Sequence, residues 1–252
     1  MPFGAVLHSL DSLPSTNDAA RALALVGAAH GTSVLAREQT RGRGTKGRTW
    51  HSPAGLGLYV SFILRDPDGG AVPSPHLVPL AAGLAASDAI LETSGLETRL
   101  KWPNDVLHGG KKLGGILTEG SSAGTPGGFL VVGIGLNVGQ GPDDIPEELR
   151  TAATSLRLAG GRVPTAEALW STLCGALERW YNELTRGNKE AVIGAFTSRS
   201  AFSRGDKVRV ETTDEVFEAG YQGLDPEGRL VVSRGAAGPV VLDAVRRLER
   251  AS

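Results

Sequence analysis

Leu77, Leu80, Leu84, Ile90 and Leu91 recur at roughly helical spacing, which predicts an amphipathic helix over residues 77–93 that stops before Gly95. The stripe Leu169, Leu173, Leu177, Trp180 and Leu184 predicts another over 166–184, and 189–196 reads as a shorter one. Near the start, Ser15-Thr16-Asn17-Asp18 precedes an alanine-rich run over 19–29. Side-chain oxygens there can cap exposed amides, so the Ser-Thr-Asn group is expected at the N-terminus of a first helix. Residues 33–36 and 58–64 read as strands, followed by strand-like segments over 98–107, 112–119 and 129–138. Short Gly-containing connections make a β-meander the simplest arrangement of those three, and 121–128 (SSAGTPGG) reads as a flexible connection. Beyond Asp206 the text KVRVET, EVFEAGYQG, RLVVS and PVVLDAV gives four short strands, the pattern of a small barrel. A boundary near Ser200 therefore divides the chain into 1–200 and 201–252.

Composition narrows the class. At 252 residues and 40% hydrophobic, the chain can bury a sizeable core in one large domain plus a small one. With 26 Lys+Arg against 27 Asp+Glu it lacks the cation surplus of a protein that coats nucleic acid, so any basic site is local. No apolar run approaches the roughly 18 residues of a membrane span, and the N-terminus lacks a basic segment followed by an apolar one. The expected location is the cytoplasm, with no membrane contact. The single Cys174 forms no internal disulfide and, lying in a helix, reads as a small core side chain. No Cys/His spacing suggests a structural metal. Of the scattered histidines only His51 lies beside candidate chemistry.

That chemistry starts at 41–48, with four cations in eight residues. Residues 42–47 satisfy G-x-G-x-x-G, and 42–49 nearly satisfy the phosphate-loop pattern with Arg48 in the lysine position. Both patterns need a helix directly after the glycines, whereas Ser52-Pro53-Ala54-Gly55 and a strand follow. A kinase-type loop would need H-R-D and D-F-G segments, which the chain lacks. What survives is a tight glycine turn that can approach a ligand closely, with Arg41, Arg43, Lys46 and Arg48 suited to phosphates or carboxylates. A solvated surface loop, or an arginine-glycine segment touching nucleic acid, fits this stretch equally well.

Lys101-Trp-Pro-Asn-Asp105 and Lys112-Leu-Gly-Gly flank the turn His108-Gly109-Gly110, and a hairpin there brings Lys101 and Lys112 together. Strand lysines taken singly are usually solvated edge residues. Here a cation, an aromatic face, an amide and a carboxylate fall within five residues, and Gly114 and Gly115 leave room for an apolar ligand body beside Lys112.

Ser15-Thr16-Asn17, Gln39 with GRGTKGRTW (42–50), KWPND (101–105), KLGGILTE (112–119) and GIGLNV (133–138) occur in the order found in the bacterial biotin–protein ligases. The chain resembles that family over essentially its whole length. The resemblance implies an α+β catalytic domain with a mixed, largely antiparallel sheet, of the biotin/lipoate ligase type, followed by a small SH3-like barrel. It implies ATP-dependent formation of biotinyl-5'-AMP, then transfer of biotin to a specific lysine of a biotin carboxyl carrier domain. Two anions must meet in the first step, so cations that offset their repulsion should dominate catalysis. By resemblance Lys112 and Arg43 are catalytic. Ser15, Thr16, Asn17, Gln39, Gly42, Arg43, Gly44, Thr45, Lys112, Gly114 and Gly115 are placed on the biotin side. Arg43, Arg48, Trp50, Lys101, Asn104, Asp105, Lys112 and Asn137 are placed on the ATP side. ATP is expected with Mg2+, without a protein metal cluster or a tightly bound cofactor, and loop 39–50 is expected to order over the adenylate and exclude water.

Two departures carry expectations. Thr45 stands where many members have arginine, so adenylate retention is weaker or Lys46 compensates. The Ser-Thr-Asn motif begins at residue 15, which leaves no room for a preceding helix-turn-helix and predicts a ligase of the monofunctional type, without specific DNA binding. Dimers are common in the family, and the sequence alone does not set the oligomeric state. The rivals are a lipoate-type ligase, a nucleic-acid-binding module using the Arg/Gly loop, and a silent biotin-binding protein. KWPND and GRGTKGR favour biotin. Phe217 and Tyr221 are the only aromatics of 203–252, where a nucleic-acid module needs interleaved aromatics on a basic domain. A silent binder would have lost Lys112 or the cationic loop.

Overall fold

The chain is described from a computed structural model over residues 1–66, 68–235 and 238–251. Strand β1 (Leu7–Leu13), helix α1 (Thr16–Leu25) and strand β2 (Ser33–Gln39) form a crossover that leaves β1 and β2 parallel. Strand β3 (Gly57–Leu64) is followed by helix α2 (Val78–Ser94) and strands β4 (Arg99–Lys101), β5 (Asp105–His108), β6 (Lys111–Ser121) and β7 (Phe129–Asn137). These build a seven-stranded sheet of order β1-β2-β3-β7-β6-β5-β4, antiparallel except at β1–β2. Helices α3 (Ala166–Thr185) and α4 (Lys189–Ser198) come next. Strands β8 (Lys207–Glu211), β9 (Val216–Leu224), β10 (Leu230–Ser233), β11 (Pro239–Leu242) and β12 (Arg247–Arg250) form a five-stranded antiparallel sheet, in line with a small SH3-like barrel. Among the described residues no helix is long and apolar enough to cross a membrane.

Strand β3 is buried at every position, because both faces of the sheet are covered. Side chains alternate along a strand. Leu58, Val60, Phe62 and Leu64 face the main core with α2 and α3, whereas Ile63 joins Val34, Phe129, Val131 and the α1 alanines Ala20 and Ala24 on the opposite face. Helix α1 covers only part of that second face. The start of that helix lies over Ser61 and Gly133, and beyond it the face continues to Gly135 and Gly115, register partners of each other as Gly133 is of Ser61 and Leu117.

Helix α2 is buried nearly all round, from Leu80 and Ala81 to Ala89 and Ile90, so the expected amphipathic helix is a central one. Leu91, counted in the predicted stripe, is 49% exposed. Strand β1 escapes the sequence pattern because it is an edge strand exposed along almost its whole length, and charged β12 escapes it similarly. The segment expected as one strand over 98–107 is two, since Trp102-Pro103-Asn104 turns the chain between Lys101 and Asp105; proline cannot donate to a ladder. The buried cluster runs without a break from the first sheet into Val208, Val210, Tyr221 and Val232 of the second. Trp102, placed beside the candidate site by its sequence neighbours, belongs to that junction: it is buried and its Nε1 donates to the Gly228 carbonyl at 2.9 Å.

Leu84 is fully buried in α2. Leu84→Ala is expected to lower unfolding free energy by about 3 kcal/mol, read from the urea midpoint at constant m-value.

Candidate functional site

The floor of the site is the glycine-bearing part of the α1 face, at and beyond the start of that helix. Gly115, Gly133 and Gly135 lower it, because a Cβ at Gly135 would stand 2.6 Å from Trp50 Nε1 and one at Gly115 would stand 3.3 Å from the Trp50 ring. Trp50 therefore lies on backbone. Gly114 is a correction to the sequence reading: alternation turns it to the other face, where a Cβ would meet Leu136 at 2.5 Å, so only Gly115 makes room on this side.

One end of the floor carries a small pocket of about 40 Å3 lined by Ser15, Thr16, Asn17, Gln39, Arg43, Gly44, Thr45, Trp50, Asn104, Lys112 and Gly115, with neighbours on β6 and β7. Ser15 caps α1, its Oγ accepting from the Asp18 amide. This capping swings Thr16 and Asn17 over the sheet. Gln39 Oε1 accepts from the Thr16 amide at 2.9 Å, and Gln39 Nε2 donates to Ser52 Oγ at 2.9 Å. Buried Ser61 donates to Asn17 Oδ1 at 2.6 Å and lies 2.8 Å from Thr16 Oγ1. Asn17 Nδ2 donates to Glu119 at 2.8 Å. Arg43 donates to both Glu119 oxygens, at 2.8 and 2.6 Å, and to Asp18 at 2.7 Å.

The other end opens into a chamber of about 970 Å3. Its walls include Gly44, Thr45, Lys46, Arg48, Trp50, His51, Lys101, Asp105, Lys112 and Asn137, and on the far side Glu211, Thr213, Ala244 to Arg247, and Glu249 from the second sheet. Lys46, at a left-handed φ of 61°, donates to the Val245 carbonyl, which ties the Gly/Arg loop to that sheet. Its ammonium is thereby spent on protein, and burial followed by the nearby Arg48 charge lowers its pKa. Arg48 bends back on Thr45, donating to its carbonyl and its hydroxyl.

Lys112 stands where the two cavities meet. Its Nζ is 2.5 Å from Asp105 Oδ1 and 5.5 Å from the Trp50 ring centroid, and Lys101 Nζ is 3.2 Å from Asp105 Oδ2. The two lysines thus converge through a carboxylate. Burial pushes the Asp105 carboxyl upward, but the ammonium groups of Lys112 and Lys101 outweigh it and hold the acid below its ordinary value of 3.8. Asn104 ties the turn to β6, its Nδ2 donating to the Ile116 carbonyl at 2.8 Å, and Asn137 Nδ2 donates to the Thr154 carbonyl at 2.9 Å.

Of the residues predicted for the biotin side, all but Gly42 and Gly114 line the small pocket; Gly42 sits where the loop crosses Trp50 and Ser52. Of those predicted for the ATP side, Arg48, Trp50, Lys101, Asp105, Lys112 and Asn137 line the chamber, while Arg43 and Asn104 fall on the small pocket. Sequence reasoning missed Ser61, whose only signal is a hydroxyl inside an apolar strand, and Ser52 and Asp18. It quoted Glu119 without a task. The chamber wall from the second sheet carries no local motif.

Residues 9–137 match the model of the biotin/lipoate A/B protein ligase family. The chain is 39% identical over 223 residues to the bifunctional ligase/repressor BirA of Bacillus subtilis, covering 88% of this chain and 67% of that protein. It is 37% identical over 234 residues to the biotin–[acetyl-CoA-carboxylase] ligase of Paracoccus denitrificans, covering 91% and 95%. Among solved structures it is similar to the biotin protein ligase from Aquifex aeolicus in complex with biotin and ATP, at 28% identity and a TM-score of 0.82, covering 98% of this chain and 100% of that one.

A folded-state acid held below its unfolded value adds stability above that unfolded value and loses it as pH falls through the folded one. Asp105→Asn is therefore expected to be less stable than wild type at neutral pH, with the gap closing as pH drops from 3.8 downward; urea midpoints across pH measure it. Gly135→Ala is expected to lift the Trp50 indole and red-shift its fluorescence, a shift that vanishes when the change is made in a Trp50→Phe background.

Proposed function

The chain belongs to the biotin/lipoate A/B protein ligase family, and on that premise we propose that it joins biotin to ATP as biotinyl-5'-AMP and then passes biotin to a lysine of a biotin carboxyl carrier domain. The observation that carries this reading is the meeting of a narrow hydrogen-bonding pocket and a wide, cation-lined chamber at one ammonium group, Lys112. A small acid enters the first with its carboxylate toward Lys112. A triphosphate enters the second.

In the first step a carboxylate oxygen attacks the α-phosphorus, the bond to the β-phosphate oxygen breaks, and pyrophosphate leaves. Both reactants are anions, and the charge on the phosphoryl oxygens grows in the transition state, so a fixed cation at the junction contributes most. Lys112 is held there by Asp105, which also keeps Lys101 turned to the chamber. Water need not reorganise around an ammonium already in place. Arg48 and Asn137 face the nucleotide's space, and a Mg2+ brought with the triphosphate would offset part of its charge, as suits a hard cation that keeps part of its water shell. On the acid's side Ser15, Asn17 and Gln39 hold the polar ring, and the glycine floor lets its apolar body lie against backbone.

In the second step the carrier lysine's neutral amine attacks the acyl carbon, the acyl–phosphate bond breaks, AMP departs, and the amine loses its proton. Until then the mixed anhydride must be kept from water. The Gly/Arg loop fits this task, because it spans both cavities and reaches Val245 through Lys46.

Pyrophosphate release should require biotin, and lipoate should not replace it; the same release driven equally by lipoate would overturn the substrate assignment. Lys112→Ala should stay folded by circular dichroism while losing about 3–4 kcal/mol of transition-state stabilisation, read as kcat/KM. Near-normal turnover would remove Lys112 from its role. Label transfer to a carrier domain tests the second step.

A further inference from the structure

Arg43 belongs to the cationic loop, yet three of the five N–H donors of its guanidinium are taken by carboxylates. It forms a two-pronged pair with Glu119 and a third hydrogen bond with Asp18. One positive charge faces two negative ones, so no surplus is left for a phosphate. The same Glu119 carboxylate takes a hydrogen bond from Asn17 Nδ2. A carboxylate only accepts, so together with the Leu117 carbonyl, which accepts from the same Nδ2 at 3.3 Å, it fixes which way the Asn17 amide points and leaves Oδ1 for Ser61. The line then continues from Ser61 to Thr16, whose amide donates to Gln39 Oε1, and through Gln39 Nε2 to Ser52, whose hydroxyl donates to the Trp50 carbonyl at 3.2 Å. The hydrogen bonds leave the loop at Arg43 and rejoin it at Trp50, enclosing the small pocket.

We propose that Glu119 is a positioning residue for the acid substrate: by holding Arg43 and the Asn17 amide together it closes this ring, and Arg43 acts through the ring and not as a phosphate-binding cation. The inference rests on the ligase reading above. An isolated, half-exposed ion pair contributes little. A two-pronged arginine pair that also orients a pocket amide is different, because its loss releases one loop arm and leaves the amide held only by Ser61 and by its longer bond to the Leu117 carbonyl.

Steady-state kinetics with biotin and ATP separate the possibilities. Glu119→Gln, which keeps the shape and removes the charge, should raise the KM for biotin about tenfold, as expected for a lost charge-assisted hydrogen bond. Its kcat and its KM for ATP should stay within about twofold of wild type, the pattern of lost uniform binding. Arg43→Gln should show the same split, and the double variant should be no worse than either single one, since both break the same ring. Asp18→Asn, on an exposed side chain, should show a smaller rise, about threefold, and serves if Glu119→Gln does not fold. An increased KM for ATP or a lowered kcat in Arg43→Gln, with Glu119→Gln unaffected, would overturn the proposal and return Arg43 to the phosphates. Calorimetric titration with biotin distinguishes the two failures. No binding by wild type refutes the ligase reading and this inference together, whereas equal binding by wild type and Glu119→Gln refutes the inference alone.

Discussion

The Asp105 carboxylate, clasped between the ammonium groups of Lys101 and Lys112, is the constraint on which the arrangement depends. Two lysines brought to one spot repel each other and lose solvation, and a single buried carboxylate offsets both costs. Lys112 is thereby fixed at the junction of two cavities without being neutralised outright: three charged groups leave a net positive charge facing the chamber. The hairpin registers make this possible, since Lys101 pairs with Asp105 and Asp105 with Gly115, which lies on the same strand as Lys112.

Around that clasp the sheet supplies absence more than presence. Gly115, Gly133 and Gly135 lie in register on one face, and alternation gives their even-numbered neighbours Leu136, Ile134 and Ile116 to the core. A strand can be apolar and buried on one side while offering bare backbone on the other. Trp50 uses that surface, and so would any flat ligand body. The loop that carries Trp50 is anchored at both ends by side chains and at its tip by Lys46, so its position over the floor does not depend on local helix or strand structure.

Much of this was legible in the sequence. The long helices, the central strands and the capped start of α1 follow from spacing and turn chemistry, and the separated motifs placed most pocket residues together. What escaped has physical reasons. The edge strand β1 buries almost nothing and so shows no alternation. Gly114 and Gly115 look equivalent in the text and differ only by the face to which alternation assigns them. Trp102 stands among site residues in sequence but points into the core. Arg43 counts as one more cation until Asp18 and Glu119, 25 and 76 residues away, are seen to hold it. The chamber wall contributed by the second sheet arises from packing across the whole chain, which no local pattern encodes.

The junction at Trp102 has a consequence for how the molecule comes apart. Gly228 of the second sheet sits against Leu77 and Leu80 and accepts the Trp102 indole proton, so the turn that sets Lys101 beside Asp105 is wedged from behind by the C-terminal strands. Peeling those strands away would loosen the lysine turn from behind as well as removing the chamber wall that Glu211, Thr213, Val245 and Glu249 supply. The C-terminal sheet thus acts as a keystone for the charge cluster, and heating is expected to melt both sheets in one cooperative transition instead of two.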